Sequence, residues 1–291
     1  MTSNQPFALF VRGPKSLIFD LSDQLGFDSE MEALAVSIFE DDETNEIFHV
    51  QALYASAADA NAALESLCLP KEVEGFVSQL PDEDWVALSQ KGLPPVDAGR
   101  FWIFGGHDRA KVPHDIPWPI HIEAGAAFGT GHHGTTKGCL LMFDQLLKDG
   151  TNFDRVLDLG CGAGVLAIAA ALSLKQSVMA TDIDPDAVSV SLDNAVQNEV
   201  GPLVDAFHAD GFNHQRLSGQ TFDLIFANIL AGPLMALAPD IKGAMTGGGH
   251  VILSGILDEQ AGRVARAFEA QGFAIKKGPS LAGWTSLLGL K

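Results

Sequence analysis

The sequence predicts an α/β protein: a doubly wound, mostly parallel sheet preceded by a smaller α+β domain. Three observations carry this. From Asp154 onward, short buried apolar runs alternate with helical stretches, the order that gives parallel strands with helices on both faces. Upstream, the first third reads strand, helix, strand, strand, helix, strand. A length of 291 residues suits two domains.

Phe7–Val11 is a short apolar run, and Pro14 is placed at the first turn of a helix with Leu17, Ile18, Leu21 and Leu25 on one face. Ala33–Phe39 and Ile47–Tyr54 read as strands joined by the acidic turn Glu40–Glu46. Ser56 is a candidate N-cap for an Ala-rich helix ending near Leu67, and Phe76–Leu80 closes the sheet. This order is that of a split β-α-β, ferredoxin-like unit. Asp82–Leu88 reads as helical, and GLPPVDAG as a linker. The domain boundary is placed near residue 95, with 96–120 as linker and connecting strands, Phe101–Phe104 and Ile116–Glu123 among them. The larger domain then occupies 121–291. Its strands are Arg155–Leu159, Val178–Thr181, Val204–Phe207, Phe222–Ala227 and His250–Ser254. Its helices are Val165–Leu174, Pro185–Asn198 and stretches near 231–245 and 257–271, followed by a hairpin of Phe273–Lys276 and Trp284–Leu288.

Composition narrows the function. With 18 basic and 37 acidic residues, the net charge of −19 opposes binding to nucleic acid or an anionic membrane. Positions 1–95 hold 17 acidic and 4 basic residues, so −13 of that charge lies in the first third. This is either a solvated acidic face or a docking module for a basic macromolecule. Cys68, Cys139 and Cys161 are too few and too far apart for a disulfide framework or a compact zinc site. The start, MTSNQPFALF, lacks the basic and apolar regions of a signal peptide, and the longest apolar run, Val165–Leu172, cannot span a bilayer. The expectation is a cytoplasmic monomer.

Four segments carry chemistry. In VLDLGCGAG a buried strand enters Gly160, Gly162 and Gly164 and then a helix, whose free N–H groups suit an anionic or polar ligand. A dinucleotide fingerprint needs a sixth-position glycine where Val165 stands. Asp182, 18 residues beyond Gly164, ends the next strand in ATDIDPDAV, where a carboxylate accepts ribose hydroxyls. Alternatively, Asp182, Asp184 or Asp186 caps the helix entered at Pro185. In FDLIFANILAGPL, Asn228 ends the fourth core strand. It is either a helix cap before Pro233 or a hydrogen-bond acceptor, with its own and Ile229's carbonyls, for an amine that must expose its lone pair. EAGAAFGTGHHGTT is a polar loop without the Lys-Ser/Thr ending of a phosphate loop. Its adjacent His132 and His133 point apart, and no metal site is expected.

In this order, AFGTGHHGTT, DLGCGAG, DIDPDAV and NILAGPL resemble the bacterial ribosomal protein L-eleven methyltransferase family, strongly over residues 120–260. The larger domain is then similar to class I methyltransferases that use S-adenosylmethionine and release S-adenosylhomocysteine. Asn228-Ile-Leu resembles the Asn/Asp-Pro-Pro-Tyr loop of amino methyltransferases. The resemblance assigns Thr136, Gly160, Gly162, Gly164, Asp158, Asp182, Asp210 and Asn228 to cofactor contact, with Asp158 near the methionine end and Asp210 near adenine. It places Phe128, Thr130 and His133 around the active site with Asn228 and Ile229. Gly134 stands where the family pattern has proline. The implied reaction is N-methylation of lysine side chains and the N-terminal amine of large-subunit ribosomal protein eleven. That basic protein would be held by residues 1–95. Competing readings are another acceptor, such as a small amine, and a docking module without catalysis.

Overall fold

The computed structural model describes residues 7–27, 33, 35–42, 47–79, 95–122 and 134–291, and the chain divides into two units, Met1–Asp84 and Trp85–Lys291. In the first unit, β1 (Phe7–Pro14), β2 (Ala35–Asp42), β3 (Ile47–Tyr54) and β4 (Glu74–Gln79) pair in the order β2-β3-β1-β4. Every pairing is antiparallel, and helices Lys15–Phe27 and Ala57–Ser66 connect β1 to β2 and β3 to β4. This is the ferredoxin-like arrangement. Strand alternation builds its core: Leu9 and Val11 of β1 and Val50, Ala52 and Tyr54 of β3 pack with Ile18, Leu21 and Leu25 of the first helix and Ala60 and Ala63 of the second. Ser56 caps the second helix, its Oγ accepting from the Asp59 N–H at 3.2 Å. Pro14 differs from expectation. It ends β1 opposite Ile47, and the helix begins one residue later. A strand terminus tolerates the missing N–H as well as a helix start does. The acidic turn is also shorter than expected, since Glu40–Asp42 belong to β2. The helix read at Asp82–Leu88 lies outside the described residues.

In the second unit, the segment read as linker and connecting strands is part of the fold. β5 (Val96–Ala98), β6 (Phe101–Phe104) and β7 (Trp118–His121) form a three-stranded sheet. Phe101, Ile103 and Ile120 share one core with Leu140 and Phe143 of helix Gly134–Lys148. Phe101 stacks on Phe143 with ring centroids 5.8 Å apart, and Arg100 lies over the Trp118 ring while pairing with buried Asp144. The prolines and glycines around this segment suggested a linker, but its Phe101, Ile103, Ile120 and Ile122 are core residues.

The main sheet contains β8 (Val156–Leu159), β9 (Val178–Asp182), β10 (Val204–His208), β11 (Phe222–Asn228), β12 (Met245–Leu257), β13 (Ala274–Leu281) and β14 (Trp284–Leu290). Their order is β10-β9-β8-β11-β12-β14-β13. The first five are parallel, and the terminal hairpin adds β14 antiparallel to β12. Both faces are covered. Val156, Leu224, Phe226 and Ile252 pack with helices Gly134–Lys148, Val165–Leu174 and Pro185–Gln197. Their alternates Leu157, Ile225, Ala227, Val251 and Leu253 pack with helices Ala231–Ala244 and Ala261–Ala270. The chain leaves β8 toward β9 and returns to its other side as β11, so the carboxyl ends of β8 and β11 border the topological switch point. β12 is longer than expected at both ends, because Gly247–Gly249 have little strand propensity and Ile256 and Leu257 continue its apolar run. The next helix therefore starts at Ala261.

Candidate active site

The glycine turn is held by backbone bonds and carboxylates from the neighbouring strands. Gly160 and Cys161 donate to the Thr181 carbonyl at 2.8 and 3.0 Å. Gly160 has φ +74°, and a Cβ there would drive into Ile229 Cγ2, so the turn passes close under the loop after β11 only as glycine. Gly164, at φ +81°, is the N-cap of helix Val165–Leu174, and a Cβ there would collide with Ser191 Oγ. Buried Asn194 donates through Nδ2 to the Ala163 carbonyl at 2.9 Å. Helix Pro185–Gln197 thus braces the turn from behind, a role that sequence reading missed because Ser191 and Asn194 look like ordinary helical polar residues.

Two carboxylates complete the turn. Asp158, at the third position of β8, is buried. Its Oδ2 accepts from the Ala167 N–H at 2.9 Å, capping the helix, and its Oδ1 has no hydrogen-bond partner among the described residues. Burial pushes the Asp158 carboxyl up to about 7, the Ala167 N–H opposing and the charge of Asp182 adding to the rise. Asp182 ends β9. Its Oδ2 accepts from Gly162 N–H at 2.8 Å and its Oδ1 from Asp184 N–H at 3.0 Å. Two bonds leave lone pairs on both oxygens for ribose hydroxyls. The helix cap is Asp184, which accepts from Asp186 N–H at 2.8 Å, so Asp182 is spared that duty. Cys161 is buried in the same turn, and burial, then the charges of Asp158 and Asp182, raise its thiol. It is not a ready thiolate nucleophile.

Asn228 ends β11, whose register runs Phe226 opposite Asp158 and Ala227 opposite Leu159 on β8. Its Nδ2 donates to Thr136 Oγ1 at 3.3 Å, and its Oδ1 is buried without a partner among the described residues. The following helix is capped at Leu230 with no side-chain bond, so the Asn228 amide is not its cap. Ile229 is fixed between two glycines: its Cγ2 faces Gly160 and its carbonyl faces Gly255, at φ +79°. That carbonyl is committed to a tight backbone approach. Asp210 is exposed beyond β10, and its carbonyl accepts from Asn213 N–H at 2.9 Å. The preceding Ala209 N–H bonds the Asp182 carbonyl at 2.8 Å, which keeps Asp210 at the same sheet edge. Thus Gly160, Asp158, Asp182, Asp210 and Asn228 lie at or near the carboxyl ends of adjacent parallel strands, and helix Gly134–Lys148 brings Thr136 to Asn228. Phe128, Thr130 and His133 lie outside the described residues. Among the described residues, no group of three or more metal-ligating side chains occurs, and no helix is long and apolar enough to cross a membrane.

Residues 18–291 match the family described as Ribosomal protein L11 methyltransferase (PrmA). The chain belongs to the ribosomal protein L11 methyltransferase family. A relative of that name from Caulobacter sp. (strain K31) is 39% identical over 289 residues, covering 99% of both chains. Another from Rhodopseudomonas palustris (strain BisB5) is 44% identical over 294 residues, covering 97% of this chain and 96% of its own. The crystal structure of ribosomal protein L11 methylase from Lactobacillus delbrueckii subsp. bulgaricus matches with a TM-score of 0.59 and 28% identity. That match covers 67% of this chain and 97% of the other.

Membership makes the larger sheet a class I methyltransferase fold, with S-adenosylmethionine as methyl donor. The residues present fit such a group. The turn is kept open by glycines that a Cβ would fill, the helix start offers N–H donors, and Asp158 leaves a buried oxygen unpartnered among the described residues.

Proposed function

We propose that the chain transfers methyl groups to the lysine side chains and N-terminal amine of the large-subunit ribosomal protein that its relatives are named for. The observation carrying this reading is the Asn228 side chain. Its Nδ2 is engaged by Thr136, and its Oδ1 is a buried acceptor at the end of β11 without a partner among the described residues. A buried amide oxygen left empty costs free energy unless a ligand fills it. A neutral amine fills it with an N–H and so turns its lone pair elsewhere, whereas an ammonium has no lone pair to give.

The bound cofactor supplies an electrophilic methyl group on a sulfonium. Asp182 offers carboxylate oxygens to ribose, and the start of helix Val165–Leu174 offers backbone N–H groups beside the glycine turn. Asn228 accepts an amine N–H and orients the nitrogen. No protein nucleophile takes part. Rate arises from alignment and from exclusion of water around the reacting atoms. The unit Met1–Asp84 holds the basic protein substrate, supported by the −13 charge of positions 1–95. Incubation with radiolabelled S-adenosylmethionine and separate pools of ribosomal protein, ribosomal RNA and small amines tests the assignment. Label is expected only in the protein pool.

A further inference from the structure

Ser254 is a hydroxyl with no obvious reason to be where it is. It is fully buried in β12 among Ile252, Leu253, Ile256 and Leu257, where alanine or valine would serve packing without the cost of burying a polar group. Its Oγ donates to the Thr135 carbonyl at 3.2 Å and accepts from Ser286 Oγ, 3.0 Å away on β14. A carbonyl in a helix's first turn already accepts an intrahelical bond, so Ser254 uses the spare lone pair. The bond is a tether from strand to helix rather than a satisfaction of the backbone.

The tether lies beside the candidate acceptor. Ser254 and Asn228 are register partners on adjacent parallel strands. They hold consecutive residues of one helix: Ser254 bonds Thr135 and Asn228 bonds Thr136. Gly138, one turn further along that helix, would strike Ser286 Oγ if it carried a Cβ, so the helix is glycine-thin where Ser286 reaches Ser254. All four polar partners, Thr135, Thr136, Ser254 and Ser286, are buried.

We propose that Ser254, supported by Ser286, is a positioning residue for methyl transfer. It fixes the first turn of helix Gly134–Lys148 so that Thr136 holds the Asn228 amide with Oδ1 presented to an incoming N–H. The inference rests on the reading of Asn228 as the amine acceptor. Loss of the tether lets Thr136 shift, and the Asn228 amide then samples orientations that do not align the nitrogen. The glycine turn and Asp182, which hold the larger share of the cofactor on this reading, make no bond to the tether.

The test is a double-mutant cycle on single-turnover rate with Ser254→Ala, Asn228→Ala and the pair, each paired with calorimetry of S-adenosylhomocysteine. Ser254→Ala is expected to lower the rate about tenfold, and affinity for S-adenosylhomocysteine should stay within about twofold. In the double variant the rate should fall no further than in Asn228→Ala alone, because both changes break one device. Ser286→Ala, which leaves the bond to Thr135, should cost only about threefold. Where Ser254→Ala lowers the folded fraction, Ser254→Cys keeps a weak donor of similar size and should recover part of the rate. A Ser254→Ala rate near wild type, a parallel loss of S-adenosylhomocysteine affinity, or losses that multiply would each overturn the inference while leaving Asn228's role intact. An Asn228→Ala variant with wild-type turnover would instead remove the acceptor reading, and this inference with it.

Discussion

Asn228 Nδ2 meets Thr136 Oγ1 at 3.3 Å across 92 residues of sequence, and this bond joins the end of β11 to the helix that follows the polar loop. It ties one half of the amide to the protein and leaves the other half as a buried acceptor. Asn228→Ala should therefore lower single-turnover methylation by about two orders of magnitude and leave cofactor affinity nearly unchanged, because on the proposed reading the lost interaction is with the attacking nitrogen. Rate measurement paired with calorimetry checks this. Equal losses in both would reassign Asn228 to cofactor binding.

Asp182→Ala should act in the opposite way. It removes the candidate ribose acceptor and also the carboxylate that holds Gly162 N–H. Hydrogen bonds to a charged group contribute about 1.5–3 kcal/mol each, so affinity for S-adenosylhomocysteine should fall by at least about tenfold. Titration calorimetry on the folded variant provides the comparison.

Asp158 gives the unliganded protein a pH signature. Its carboxyl is raised from the ordinary 3.8 to about 7 by burial foremost. Between those values the native state binds more protons than the unfolded chain, so this group's contribution to stability is present at low pH and is lost as pH rises from about 4 to about 7. Asp158→Asn keeps the size and the acceptor for Ala167 N–H but cannot titrate. Thermal unfolding of the two proteins across this range should converge toward low pH and separate as pH rises, with the variant the more stable at pH 7.5. Parallel curves would mean that Asp158 is ionised throughout.

Asn194→Ala should destabilise the fold by about 1–3 kcal/mol, since it strips a buried donor from the Ala163 carbonyl. Denaturant unfolding measures this. Added S-adenosylhomocysteine should bind the variant less tightly, because the turn it braces is the one proposed to face the cofactor.

If the acidic first unit steers a basic substrate, neutralising exposed charges on it should raise the KM for that protein without changing cofactor affinity. Glu65→Gln, Glu72→Gln and Glu74→Gln together should raise KM roughly threefold at low ionic strength, with the difference vanishing near 0.5 M salt, roughly where screening becomes short-ranged. Steady-state kinetics at both salt concentrations decide it.

The strand-turn-helix at Gly160 was legible in sequence because its constraint is local: a buried strand must meet glycines before a helix. Asp182 was legible for the same reason, since it ends the next strand. Helix Val165–Leu174 was bounded correctly because glycine precedes it and its apolar run is unbroken. Ser254, Ser286 and Asn194 were not legible. Each looks like an ordinary residue in its own strand or helix, and its role exists only through partners 31 to 119 residues away. In the segment 96–120 the strand Phe101–Phe104 was legible, whereas its pairing with β5 and β7 in a small sheet was hidden by the surrounding prolines and glycines.

The most direct test of amine methylation at Asn228 is to locate the transferred methyl. Purified ribosomal protein substrate and S-adenosylmethionine would be incubated with the wild-type chain and with Asn228→Ala, and the product mapped by peptide mass spectrometry. The account predicts methyl groups on lysine Nζ atoms and the N-terminal nitrogen with the wild-type chain, and almost none with a variant that still binds S-adenosylhomocysteine. Methyl groups on carboxylate, thiol or amide atoms, or an undiminished yield from Asn228→Ala, would contradict it.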